Sequence, residues 1–301
     1  MPTGLLLPVA HLQNVTVTYT DFTINPDTYA CFPSEAVPHP AVQVALLLLA
    51  FTLGFMGNFS VLVLVGCPQF QRASLGIYLL NLAANDLLSA LCMVLRAIDA
   101  SSGWTLGDVG CRVLSMLSDQ ALYTGVLLLG GLCMHSLRRA NSHLLCTLAW
   151  VFGFFIALPA VLFSRVSHLS GHILTCQQHK GRALELPLSL LKNLVGFAIP
   201  PLLFILSSLP YVCFRSNDWK NKWEKSLILS LTLAFTIFRS PYHISAFAST
   251  LMSGNIIEVN CHLLFSTERA IGVTQMLSNC HCFVNPILYC LLWNKIREFL
   301  C

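Results

Sequence analysis

Asp86 and Arg239 each put a full charge into the middle of a long apolar run. At bilayer depth a guanidinium costs at least ~2.5 kcal/mol on insertion scales, and a carboxylate is also disfavoured, unless a counter-charge, an ion or water relieves it. Both are therefore functional-site candidates, and Arg239 is expected to pair with Asp86 or with Asp119. Covalent chemistry finds less support. His135 and Ser136 are adjacent, and a helix turns about 100° per residue, so they do not share a face as base and nucleophile. Cys280, His281 and Cys282 read as span packing, and neither catalysis nor a metal centre is expected.

A second group of polar residues gathers toward one end of the apolar runs. Arg96, Asp119, Tyr123, Lys192, His243 and Gln275 form the candidate ligand-binding set, with Asp99, Arg112, Gln120, Glu268 and Arg269 around them. Both signs of charge are present. Arg96, Lys192 or Arg269 would meet a carboxylate or a lipid headgroup as charge-assisted donors.

Seven elements must position these groups. A helix needs about 20 apolar residues to cross roughly 30 Å of hydrocarbon, and such stretches fall near residues 41–66, 75–99, 109–137, 144–164, 186–214, 226–252 and 263–293. Only 10% of the 301 residues are charged and 55% are hydrophobic, too apolar a balance for a soluble domain of this length. No strand-length alternation suited to a barrel occurs, and unpaired strands are not tolerated in lipid, so the expected class is an all-α membrane protein, a seven-transmembrane helix bundle.

Basic residues set the orientation. Arg72, Arg138, Arg139, Arg215, Lys220, Lys222, Lys225, Lys295 and Arg297 fall on one side, whereas residues 1–40 hold no Lys or Arg. This places the N-terminus outside and the C-terminus inside. Residues 1–40 then form an extracellular tail, 41–293 the membrane domain and 294–301 a short cytoplasmic tail. The net charge of +4 reflects this inner bias, and no basic-aromatic patch points to nucleic acid. Trp219 and Trp223 among the basic residues from Arg215 to Lys225 suit an anchor to membrane lipid at the interface.

Asn14-Val15-Thr16 is a glycosylation sequon that an outside location makes usable. Of thirteen cysteines, Cys31, Cys111, Cys176 and Cys261 fall on the outer side, and an even number in an oxidising compartment implies two bridges. Four cysteines allow three pairings.

Several motifs stand in order along the chain. They are Gly57-Asn58 with Val61, the run Asn81 to Leu88, Trp104 with Cys111, Trp150, Pro200, Phe235 with Pro241, and Asn285-Pro286-Ile287-Leu288-Tyr289. Together they resemble the landmarks of rhodopsin-like G-protein-coupled receptors over nearly the whole chain. Trp104 to Arg112 is similar to the nucleotide, cysteinyl-leukotriene and succinate receptors, whereas His281-Cys282 before Asn285-Pro286 is similar to chemokine receptors. The resemblance implies a multi-pass plasma-membrane receptor that moves its helices on binding an extracellular ligand and engages a heterotrimeric G protein. It implies bridges Cys111–Cys176 and Cys31–Cys261. It also implies an activation network of Asn58, Asp86, Asn285 and Tyr289, to which Arg239 is added here, with an allosteric sodium ion at Asp86 as the one cofactor.

Departures from the family pattern qualify that expectation. His135-Ser136-Leu137 stands where the family carries Asp-Arg-Tyr, so the Arg that meets the G protein is missing. Ser208 replaces a usual Tyr, and Arg239 replaces an aromatic residue at the base of the ligand pocket. Ala246 and Gln275 stand where nucleotide receptors place basic residues, which disfavours a nucleotide. The expected ligand is a small anionic or lipid mediator, or a chemokine-like peptide. The alternative is a non-signalling receptor, a ligand scavenger, decoy or viral mimic with a degenerate G-protein face. A retinal protein is excluded by the lack of a Lys in 263–293, and no internal repeat suggests a transporter.

Overall fold

The computed structural model describes residues 39–65, 73–138, 141–170, 173–178, 182–199, 201–203, 205, 219–254 and 256–292. Asn14, Cys31, Pro200, Ser208 and the terminal tails lie outside them.

The first helix, α1 (Pro40–Val65), shows how lipid reverses the usual pattern. Its buried residues, Gln43, Leu47, Ala50, Gly54, Asn58, Val61 and Val65, recur every three or four positions and form one stripe. The opposite face carries Leu49, Met56, Phe59 and Val63, more than half exposed. Both faces are apolar because the outer one meets hydrocarbon, and the buried stripe is distinguished by small and polar residues that allow close approach. A Cβ at Gly54 would lie 2.5 Å from Cys282 Sγ, and one at Gly57 2.8 Å from Pro286 Cβ.

α2 (Ser74–Ser102) ends at Gly103, whose φ of 79° lets its N–H return to Asp99 O at 3.1 Å. α3 (Gly107–Arg138) and α4 (Ser142–Phe163) follow. Asn141 starts α4 by accepting from Leu144 N at 3.2 Å. Tyr78 OH donates to Gly131 O at 3.1 Å, and Trp150 Nε1 donates to Asn81 Oδ1 at 2.9 Å, so α2 is tied to both α3 and α4.

After α4 the chain forms an antiparallel ribbon, β1 (Ser164–Ser170) and β2 (Ile173–Gln178), with Val166 opposite Cys176. The bundle itself is all helix, as expected. The ribbon lies between spans and is held by links that no local pattern announces. Cys111 and Cys176 are disulfide-bonded, Asp108 Oδ1 accepts from Val166 N at 2.8 Å, and Leu174 O accepts from Trp104 N at 2.9 Å.

α5 (Arg182–Asn193) widens into a single π turn over Leu194–Ala198. α6 (Trp219–Ser253) contains Pro241. The last expected span, 263–293, is two helices, α7 (Cys261–Asn279) and α8 (His281–Leu291), which meet at Cys280. Among the described residues six helices are long and apolar enough to cross a bilayer by themselves, and the α7–α8 pair is the further element. The main core lies between α2, α3, α4 and α6, around Tyr78, Leu79, Leu128, Leu132, Leu231 and Phe235.

Candidate functional site

The polar residues fall into two layers. In the deeper one Asp86 is 2% exposed, and Asn285 Nδ2 donates to its Oδ2 at 2.7 Å. His281 Nδ1 lies 4.0 Å from Asp86 Oδ1. Asn58 Nδ2 donates to Gly54 O at 2.8 Å and to Cys282 O at 2.7 Å. Asn58 Oδ1, Asn285 Oδ1 and Tyr289 OH are buried without a hydrogen-bond partner. Asp86, Asn58, Asn285 and Tyr289 thus meet in one buried region, formed by α1, α2 and α8.

The second layer lies nearer the ribbon and centres on a cavity of about 80 Å³, room for a few waters. Arg96 and Ser89 of α2, Asp119 of α3, Lys192 of α5, Arg239 and His243 of α6, and Gln275 and Asn279 of α7 line it. Five of the six ligand candidates therefore share one cavity. Tyr123 does not line it: one helical turn beyond Asp119, it belongs to the apolar core and is 4% exposed.

Lys192 Nζ contacts Asp119 Oδ1 at 2.5 Å, joining α5 to α3. For Arg239 the link to Asp86 is electrostatic attraction at longer range than a direct ion pair. Asp119 is engaged by Lys192, Asp86 by Asn285, and Arg239 forms no ion pair with either carboxylate among the described residues. Its guanidinium instead sits 5.5 Å from the centroid of the Phe235 ring, a cation–π contact. Phe235 packs edge-on against His281, with ring centroids 4.8 Å apart. A chain of contacts thus leads from the cavity floor through Arg239, Phe235, His281 and Asp86 to Asn285.

His243 is 1% exposed, with Nδ1 3.3 Å from Asn193 Oδ1. Room for its ring depends on Gly196 in the π turn, where a Cβ would overlap the imidazole. Sequence reasoning named Asp119 and Lys192 without their bridge, and it missed Ser89, Asn279 and Gly196. Ser89 lies one turn from Asp86, and Asn279 one turn from Gln275, so helical spacing was the signal that could have found them.

Of the four outer cysteines, Cys111 and Cys176 are bonded to each other and Cys261 is also disulfide-bonded. His135, Ser136 and Leu137 occupy the last turn of α3, and their side chains lie outside what is described.

The helices, six of them long and apolar enough to cross a membrane, form a bundle with a charged cavity at one end and a buried polar network beneath it. Residues 57–289 match the 7 transmembrane receptor (rhodopsin family), and the chain belongs to that family. It is 27% identical over 290 residues to C-X-C chemokine receptor type 2 of Macaca mulatta, covering 91% of this chain and 82% of that receptor. It is also 27% identical over 292 residues to C-X-C chemokine receptor type 1 of Oryctolagus cuniculus, covering 91% and 82%. The chain is a divergent, multi-pass plasma-membrane receptor of the G-protein-coupled class for an extracellular ligand, and the family is one of receptors, not enzymes.

Proposed function

We propose that this receptor binds the inserted end of a chemokine-like extracellular ligand in the cavity walled by Asp119 and Lys192. The reading rests on the contact chain from Arg239 through Phe235, His281 and Asp86 to Asn285, because it joins the cavity floor to the Pro286 bend of α8. A ligand that displaces Arg239 moves the α6 side of that chain relative to α2 and α8. The similarity to C-X-C chemokine receptors supports the ligand class. The Lys and Arg distribution supports an outside N-terminus and hence an outward-facing cavity.

Asp86 would hold an allosteric sodium ion, with Asn285 Oδ1 and Asn58 Oδ1, both buried without a hydrogen-bond donor, as the further oxygens available to it. Oxygen ligands suit such a hard cation. Ser136 in place of the family Arg favours a second reading, in which the ligand is bound and scavenged without G-protein activation.

One experiment separates the readings. Wild type and Ser136→Arg, with surface display checked by an N-terminal tag, are exposed to a chemokine panel and assayed for G-protein activation and ligand uptake. Activation of wild type supports the signalling receptor. Uptake without activation, with signalling gained by Ser136→Arg, supports the scavenger. Neither binding nor activation in any variant overturns the chemokine-like ligand.

A further inference from the structure

Arg239 carries a charge into a span yet has no carboxylate within ion-pair distance among the described residues. Its Nε is buried and without a hydrogen-bond partner. Three more unpartnered buried donors line the same cavity, the hydroxyls of Ser89 and Ser118 and Asn279 Nδ2. The Asn279 amide is oriented by Gln275, whose Nε2 donates to Asn279 Oδ1 at 3.3 Å, so its own NH₂ is left to face the space. Arg239, Ser89 and Asn279 bring donors from α6, α2 and α7, and Ser118 adds one from α3.

Charge points the same way. Arg96, Lys192 and Arg239 line the cavity against the single carboxylate of Asp119, and that carboxylate is already bonded to Lys192. Arg96 makes no ion pair among the described residues. Water can satisfy the Ser89 and Asn279 donors, but it supplies no counter-charge, and the guanidinium has only the Phe235 ring and the more distant Asp86 to offset its own charge.

We infer that the cavity floor is a carboxylate receptor, in which Arg239, Ser89 and Asn279 hold the acid group of an incoming ligand and Arg96 adds long-range attraction. The inference deepens the proposed function, since it rests on the cavity being the ligand's entry. About 80 Å³ admits a carboxylate and its adjoining carbons, not a whole ligand, so the rest of the molecule stays in the opening above. A planar guanidinium matches a carboxylate with two parallel N–H···O bonds, which a lysine would not reproduce. The acid is supplied either by a small organic molecule or by a peptide.

The test uses the purified full-length receptor in nanodiscs and follows Tm with four probes. These are hexanoate, hexanamide, N-acetyl-tetra-alanine with a free carboxylate, and the same peptide as its C-terminal amide. At concentrations well above Kd an acid is expected to raise Tm by about 2–4 °C while its amide does not. A shift with hexanoate assigns a small acid, and a shift with the peptide acid alone assigns a peptide carboxylate. Arg239→Gln is expected to abolish the shift and Arg239→Lys to restore only part of it. Asn279→Ala, which leaves the charge in place, should weaken acid binding about tenfold. The inference is overturned if acid and amide shift Tm equally, if no probe shifts it, or if Arg239→Gln keeps the full response. An acid shift in a receptor that no chemokine activates or enters would retain this site while removing the chemokine reading. Chemokine activation with no acid shift would do the reverse.

Discussion

Asn58 Nδ2 donates at 2.7 Å to the carbonyl of Cys282, the one that Pro286 leaves without its helical donor. Proline lacks an N–H and sits four residues after Cys282, so a side chain from α1 takes the place of a backbone group in α8. The two helices can come this close because Gly54 and Gly57 present no Cβ to Cys282 and Pro286. Asn58→Ala should leave a buried carbonyl unsatisfied and cost about 1–3 kcal/mol, read as a lower Tm. Asn58→Asp, which keeps the size but not the donor, should not recover it.

The bridge between Asp119 and Lys192 should be strongly non-additive. Lys192→Ala removes the counter-charge of a mostly buried carboxylate and is expected to lower stability by about 1–3 kcal/mol. The added change Asp119→Ala should restore part of that loss. Arg239→Gln combined with Asp119→Asn should instead couple less strongly than the Asp119–Lys192 pair, since these two residues line one cavity but share no ion pair. Surface display and Tm of the single and double variants measure both cycles, and coupling in the second pair as strong as in the first would show an unrecognised contact.

Gly196→Ala should displace the His243 ring and lower Tm by several degrees, because the new methyl overlaps the imidazole. Shortening the neighbour in Gly196→Ala with His243→Ala should recover most of the loss. A single variant as stable as wild type would mean that the π turn can relax without disturbing α6.

Loss of the Cys111–Cys176 bridge should release β2 from the start of α3. Cys111→Ser is expected to cost about 2–5 kcal/mol and to reduce surface display, with ligand binding falling further than display. Radiolabelled ligand bound per displayed receptor checks this, and an unchanged ratio would place the ribbon outside the binding event.

Local sequence was enough to determine the class, the approximate spans and the identities of most polar groups in the site. These follow from length, hydropathy and helical spacing, which act over one or two turns. The single long span 263–293 was legible as apolar, but its division at Cys280 was not. The bend depends on Pro286 together with a hydrogen-bond donor, Asn58 Nδ2, 224 residues away from Cys282 on α1. The ribbon of β1 and β2 was equally hidden, because short polar strands are held by a disulfide and by Asp108 and Trp104, not by alternation. The partner of each buried charge was decided by tertiary structure alone. Asp86 and Asp119 were both plausible for Arg239, and only the packing of α3 against α5 brought Lys192 to Asp119 and left the guanidinium facing a cavity. Helix periodicity says which face a side chain occupies, whereas pairing depends on how the helices rotate and slide against one another, and that is settled by the whole bundle at once.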